Sequence, residues 1–118
     1  MNITEIACTG TPVTDMPRAH AFCEGVLGLK PTMEPDGGMW VEYDIGPGTF
    51  GIGSFGDVWK PSSDGTCVMF KVDNLDATFA QLKAAGVPIA QETMGTPLCR
   101  FAIIDDPDGN KILIQKNK

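Results

Sequence analysis

The chain has 118 residues, of which 42% are hydrophobic and 20% charged, and it carries a net charge of −6. This length and composition predict one domain over residues 1–118 with a hydrophobic core. The 15 acidic residues outnumber the 9 basic ones, which disfavours nucleic acid as a partner because phosphate binding depends on Lys and Arg.

The chain shows no segment suited to a membrane or to export. Its longest apolar runs, such as Phe101 to Ile104, are too short to cross a bilayer. The N-terminus lacks the basic and apolar regions of a signal peptide, so we expect a cytoplasmic protein with no membrane partner. In that reducing compartment the widely spaced cysteines are expected to be free thiols: Cys8, Cys23, Cys67 and Cys99.

The first half of the chain has the pattern of a strand, a helix and three short strands. β-branched residues predict a strand over Ile3–Thr11. Thr14 or Asp15 can cap a helix that ends at Gly28. Turns at Asp36-Gly37-Gly38 and Gly46-Pro47-Gly48 separate the three predicted strands, which are Leu29–Met33, Met39–Ile45 and Thr49–Ser54.

After a loop-like linker over residues 55–65, the same order begins again. A strand is predicted over Cys67–Val72, followed by a helix that Asp73 or Asn74 caps and Gly86 ends. Both Asp15 to Gly28 and Asp73 to Gly86 span 13 positions. Three more strands are predicted at Val87–Gln91, Arg100–Ile104 and Lys111–Gln115. The sequence therefore predicts two tandem β-α-β-β-β modules, at 1–54 and 66–118.

Motifs in both modules point to a known family. They are Pro12-Val13-Thr14-Asp15, Phe22-Cys23-Glu24-Gly25-Val26-Leu27-Gly28-Leu29, Val72-Asp73-Asn74, Ala84-Ala85-Gly86-Val87 and Asp106-Pro107-Asp108-Gly109-Asn110. With these the chain resembles the vicinal oxygen chelate superfamily, which includes glyoxalase I, bleomycin-resistance proteins and extradiol dioxygenases. The resemblance implies an α+β fold with an open, cup-like mixed sheet, helices on its convex face and a ligand on its concave face. It also implies a homodimer.

The same resemblance implies metal ligands on the first and last strand of each module. Enzymes of the family bind a divalent cation there with His, Gln or Glu. The matching positions in this chain are Cys8, Ile52, Cys67 and Leu113, with Gly51 or Gly53 in place of Ile52 if the register differs by one. None of these residues is His, Gln or Glu, so we expect no metal and no other cofactor.

Three residues allow weaker metal or catalytic interpretations. Cys8 and Cys67 hold equivalent positions, so as facing thiols they could bind a soft metal or form a disulfide; alternatively they are small apolar core residues. His20 is the only histidine, and we predict a solvated position for it on the first helix.

Aromatic and charged side chains are the remaining candidates for a binding site. Trp40 and Glu42 share one face of a strand, and Trp59 lies in the linker, where a ring could stack on a cationic ligand. Alternatively, Trp40 is in the core and Trp59 covers an interface. Arg100 could bind an anionic group or form a surface ion pair. The predicted ligand-binding residues are Trp40, Glu42, Trp59, Cys67, Met69, Arg100 and Leu113.

Three functions are compatible with these residues. The first is a metal-independent protein that binds and sequesters a small molecule, cationic or aromatic, as drug-sequestering members of the family do. The acidic surface favours a cation, although it could serve solubility alone. The second is a glyoxalase-like lyase or isomerase with Glu42 as general base. The third is a structural module whose cup is filled by its own side chains, namely Met39, Phe50, Met69 and Leu113.

Overall fold

The computed structural model describes residues 1–35 and 37–118 and divides the chain into two compact units, Met1–Pro61 and Ser62–Lys118. Each unit contains a mixed β-sheet and one main helix, which confirms the predicted α+β class. Within the described residues, no helix has the length and apolar character needed to cross a membrane.

The first unit has a three-stranded sheet. Its elements are β1 (Thr9–Pro12), α1 (Met16–His20), which continues as a π-helix over Ala21–Val26, β2 (Trp40–Ile45), β3 (Gly48–Gly53) and a short 3₁₀ turn over Gly56–Val58. The strand order is β1-β3-β2, with β1 parallel and β2 antiparallel to β3.

The second unit has a four-stranded sheet. Its elements are β4 (Val68–Lys71), α2 (Leu75–Ala84), β5 (Ile89–Gly95), β6 (Cys99–Asp105) and β7 (Lys111–Asn117). The strand order is β4-β7-β6-β5, with only the β4–β7 pair parallel. In both units the first strand therefore pairs in parallel with the last strand.

The helix boundaries follow the predicted signals. The Asp15 carboxylate accepts a hydrogen bond from the backbone N–H of Arg18 at 3.0 Å, and Asn74 caps α2 in the same way through Ala77. Gly28 and Gly86 follow the two helices with φ of 73° and 77°, a left-handed conformation that favours glycine.

Three predicted strands differ from the structure. The strand predicted at Val87–Gln91 begins at Ile89 and runs to Gly95. Only Thr9–Pro12 of the first segment is a strand, because β3 begins at Gly48 and offers no partner to the residues near the N-terminus. Leu29–Met33 is not a strand and contributes one isolated bridge between Met33 and Glu42. Pro31 has no N–H to donate to a ladder there. The predicted turn after this segment includes Asp36, which lies outside the described residues.

The core of each unit lies between its helix and one face of its sheet. In the second unit, Ile112 and Ile114 on β7 are buried, while Met69 and Lys71 on β4 are exposed. Side chains along these two strands therefore alternate between the helix side and the opposite side of the sheet.

Candidate ligand-binding site

The sheet of the first unit has one face against α1 and an opposite face made largely of glycine. Tyr43, Phe50 and Ile52 are buried on the helix side, with Ile52 only 1% exposed. Because side chains alternate along a strand, Trp40 and Glu42 project from the other side. We call that side the glycine face; it carries Gly10, Gly51 and Gly53.

The indole of Trp40 lies directly on this glycine face. A Cβ placed on Gly51 would be 2.4 Å from Cζ2 of Trp40, and a Cβ placed on Gly53 would be 2.7 Å from Cε3 of the same ring. A Cβ on Gly10 would be 3.0 Å from Cη2 of Trp59. At Gly51 and Gly53 the Trp40 indole therefore approaches the backbone more closely than a side chain would permit, whereas a side chain at Gly10 would require the Trp59 ring to shift by only a few tenths of an ångström.

Trp40, Phe55 and Trp59 form an aromatic cluster on the glycine face. The ring centroid of Trp40 lies 6.4 Å from those of both Phe55 and Trp59, and the latter two are 6.2 Å apart. The three rings are tilted by about 30° to one another, within the range for favourable aromatic pairs. Sequence analysis missed Phe55. The sequence did offer a signal, because Phe55 and Trp59 are two large aromatic residues only four positions apart in a linker with few other apolar residues.

Glu42 adds a negative charge beside this cluster. Its Oε2 accepts a hydrogen bond of 2.8 Å from the indole Nε1–H of Trp40, and the residue is half-buried. None of the ion pairs in residues 1–35 and 37–118 involves Glu42. The pair of Trp40 and Glu42 predicted from the strand pattern is thus present, with the carboxylate held at the ring edge.

The predicted site residues of the second unit lie on two sides of its sheet. Met69 and Leu113 are neighbours in register on the side away from α2, and Cys67 is an exposed free thiol just before β4. Arg100 lies on the α2 side, where its guanidinium contacts the Asp76 carboxylate at 3.0 Å. The structure therefore brings Met69 and Leu113 together and places Arg100 on the opposite side of the sheet. Of the two alternatives for Arg100, an anion-binding residue or a surface ion pair, the structure shows the ion pair.

The hypothesis of a cup filled by its own side chains fails for Phe50. That ring is 3% exposed and packs on the helix side beside Tyr43, at a centroid distance of 6.2 Å. Met39 and Met69 are 51% and 54% exposed, so neither is packed as a filling residue.

A polar cluster on the helix side includes the single histidine. Oε2 of Glu24 accepts hydrogen bonds from the Tyr43 hydroxyl, at 2.9 Å, and contacts Nδ1 of His20. Burial raises the pKa of Glu24, but the hydrogen bonds with His20 and Tyr43 outweigh it and the net shift is downward. Burial and the bond to Glu24 raise the pKa of Tyr43, which therefore remains a neutral donor.

This cluster corrects the prediction for His20. Its side chain is 29% exposed and lies between two carboxylates, with Nε2 3.7 Å from Glu34. Sequence reasoning missed the cluster because Glu24 and Tyr43 are 19 positions apart, and only the packing of the helix on β2 joins them.

Comparison with known proteins identifies the family. A family model described as Glyoxalase/Bleomycin resistance protein/Dioxygenase superfamily matches residues 5–114. The chain belongs to this superfamily. A search of curated proteins finds no match.

Solved structures of superfamily type share the fold. TnmS3, an antibiotic binding protein from Streptomyces sp. CB03234, has a TM-score of 0.79 at 24% identity, with 100% of this chain and 99% of that chain covered. A superfamily member from Sphaerobacter thermophilus DSM 20745 has a TM-score of 0.79 at 21% identity, with 97% and 98% covered. A lactoylglutathione lyase from Agrobacterium tumefaciens has a TM-score of 0.76 at 19% identity, with 98% and 95% covered.

The residues at the superfamily's metal positions do not fit a metal in this chain. Ile52 is packed in the core, Leu113 is apolar, and Cys8 and Cys67 are a half-buried and an exposed thiol. Across the described residues, no group of three or more His, Cys, Asp or Glu side chains is arranged to hold an ion. Hard and borderline cations need such oxygen and nitrogen donors.

Proposed function

We propose that this superfamily member is a small-molecule binding protein that holds a planar, cationic ligand on the glycine face of its first unit. The observation that carries this proposal is the aromatic cluster beside Glu42, whose half-buried carboxylate has no basic partner among the described residues. A ligand that supplies both a flat ring and a positive charge would complement both features at once.

Two physical contributions favour such a ligand. A ring stacked on an indole gains about 0.5–1.5 kcal/mol beyond its buried area, and a cation over the ring adds about 0.5–2 kcal/mol.

The charge of the chain is also unevenly divided. Residues 1–61 contain eight acidic and three basic residues, a net charge of −5, whereas residues 62–118 contain seven and six, a net charge of −1. The field of the first unit therefore attracts cations more strongly.

The finer parts of the proposal extend the sequence analysis. We propose that binding needs no metal, that Cys67, Met69 and Leu113 line an apolar ligand-binding surface within the second unit, and that the protein acts in the cytoplasm as a homodimer. The similarity in fold to the antibiotic binding protein TnmS3 supports sequestration without reaction as the role. Light scattering of the purified protein tests the dimer.

The ligand class can be tested with two probes of the same ring size and opposite charge. Isothermal titration calorimetry would compare N-methylacridinium, a planar cation, with 9-anthroate, a planar anion. We expect binding of the cation only, and a loss of about fivefold in its affinity in Glu42→Gln, since a partly exposed charge pair is worth about 1 kcal/mol. Equal binding of both probes, or no effect of Glu42→Gln, would refute the cationic preference.

A second candidate function is a glyoxalase-like lyase or isomerase with Glu42 as general base. It is favoured by the position of the Glu42 carboxylate on a face lined with rings, where only Oε2 is engaged by Trp40. The test is absorbance at 240 nm with the hemithioacetal of methylglyoxal and glutathione. Turnover that disappears in Glu42→Gln would establish the enzyme, and absence of turnover would leave the binding protein.

A further inference from the structure

We propose that Gly51 and Gly53 are positioning residues of the binding site, and that the indole they support occupies the space that a metal-ligating side chain on β3 would need. This inference rests on the proposed function and assigns a specific role to the glycines beneath the ring.

The indole of Trp40 runs along β3 from one glycine to the next. Trp40 is paired with Gly53 across the β2–β3 ladder, and its Cε3 and Cζ3 lie over that residue. Its Cζ2 and Cη2 lie over Gly51, and Cη2 reaches to 3.5 Å from the Cβ position of Gly10 on β1. The ring is therefore flat on the sheet across two strands, with its other surface turned away from the backbone.

Backbone conformation does not explain glycine at either position. Neither Gly51 nor Gly53 has a positive φ, so an L-residue could adopt the same backbone. Glycine inside a strand weakens it, because the residue loses more conformational freedom and offers no side chain to pack. What glycine provides here is the close approach of the ring to the backbone.

A single methyl group at position 51 would displace the ring. Its Cβ would lie 2.4 Å and 2.6 Å from two ring carbons, so the ring would have to move by about 1 Å to reach ordinary contact. Such a movement would also disturb the 2.8 Å hydrogen bond from Nε1 to Glu42. The stacking surface and the carboxylate therefore depend together on Gly51.

The same geometry explains why the superfamily's metal position on β3 cannot be used. Ile52 faces the core, so a ligand on the glycine face would have to come from position 51 or 53. A Cβ at either position falls within 2.7 Å of Trp40. Aromatic stacking by Trp40 and metal ligation from β3 are thus mutually exclusive.

The test compares Gly51→Ala with Gly48→Ala, a matched control on the same strand. Gly48 also lacks a positive φ, and the nearest atom to its Cβ position is a backbone oxygen at 3.7 Å. Each substitution would be made in the full chain, in a Trp59→Phe background that leaves Trp40 as the single tryptophan, and in a Trp40→Ala background. The measurements are calorimetric affinity for N-methylacridinium, Trp40 emission and the urea midpoint of unfolding.

We expect Gly51→Ala to weaken N-methylacridinium binding by about tenfold and to shift Trp40 emission to longer wavelength, while Gly48→Ala changes neither. In the Trp40→Ala background, Gly51→Ala should cause no further loss of affinity or of urea midpoint. Wild-type emission and affinity in Gly51→Ala, or an effect that persists without Trp40, would overturn the positioning role. Stoichiometric Zn²⁺ binding that shifts Trp40 emission in the Trp59→Phe protein would overturn the exclusion of a metal by the ring.

The two proposals fail in different ways. If the unmodified protein does not bind N-methylacridinium, the proposed function is wrong, but the emission shift and the coupling between Gly51 and Trp40 still decide the positioning role. If the unmodified protein binds it and Gly51→Ala binds equally well, the positioning role is wrong and the proposed function stands.

Discussion

Replacement of Tyr43 by Phe removes a hydroxyl that joins β2 to the helix in the core of the first unit, where it bonds mainly to Glu24 and also to the Cys23 thiol. The Tyr43 ring is fully buried, and its hydroxyl donates to Glu24 at 2.9 Å. Phe keeps the ring and its packing against Phe50 and removes only the hydroxyl. The change therefore measures the polar contacts of this hydroxyl with Glu24 and Cys23 on the helix, with little loss of apolar contact.

The size of the effect follows from the charge of the acceptor. Hydrogen bonds to charged groups contribute about 1.5–3 kcal/mol. The Glu24 side chain is 34% exposed, which places this bond near the lower end, because solvent screens the charge. We expect Tyr43→Phe to lower the free energy of unfolding at pH 7 by about 1.5 kcal/mol, equivalent to a fall of about 5 °C in Tm.

The effect should depend on pH in a known direction. The folded pKa of Glu24 lies below its ordinary value of 4.5. Its ionised form therefore contributes stability that is fully present above pH 4.5 and is lost as the pH falls through the folded pKa. Once Glu24 is protonated, the bond from Tyr43 is neutral and weaker, so the difference between Tyr43→Phe and the unmodified protein should shrink.

Urea unfolding followed by circular dichroism at pH 7 and at about pH 3 measures both quantities. Glu24→Gln is the matched control, since it retains an acceptor and removes the charge that titrates. The double variant should lose less free energy of unfolding than the sum of the losses in Glu24→Gln and Tyr43→Phe. A Tyr43→Phe protein within about 0.3 kcal/mol of the unmodified one at pH 7, or an equal deficit at both pH values, would refute this reasoning.

Three further predictions concern the second unit. Asp106→Ala should cost about 2–3 kcal/mol in urea unfolding, because the buried carboxylate accepts from two backbone N–H groups and from the Asn110 amide, which would lose their partner; a loss below about 0.5 kcal/mol would contradict this account. Asn74→Ala should cost about 1 kcal/mol through loss of the α2 cap, with Asn74→Asp close to neutral; equal costs for the two would exclude capping as the cause. Arg100→Ala should change the free energy of unfolding by no more than about 0.5 kcal/mol, since its ion pair with Asp76 is exposed. It should also leave N-methylacridinium affinity unchanged, and a severalfold loss of affinity would place Arg100 in the binding site.

The parts of the fold that were predictable depend on neighbours in sequence. Two signals lie within one helix and its flanking residues: a capping carboxylate or amide three residues before the N–H that donates to it, and a glycine in left-handed conformation after the last turn. The same holds for Trp40 and Glu42, because alternation puts residues two apart on one side of a strand. Such signals were enough to predict both helices and the pair at the candidate site.

The strand predictions that failed depended on a partner elsewhere in the chain. β-branched residues made Ile3–Thr11 look like one strand, but a strand needs a ladder, and β3 offers none before position 7. The sequence also did not decide the register of β3, that is, whether Ile52 or its glycine neighbours face the core. Pairing with β1 and β2 places Ile52 in the core and leaves the glycines on the other face.

The sequence by itself determined the superfamily, the repeated order of a strand, a helix and further strands in the two halves, and the caps of both helices. Only the tertiary structure decided that Trp40, Phe55 and Trp59 meet on a glycine face and that Glu24 joins His20 to Tyr43. The physical reason is the number of residues along the chain that separates the interacting groups. Caps, turns and alternation act over two to four residues, whereas ring contacts and buried hydrogen bonds depend on which strands pair and on which face the helix packs.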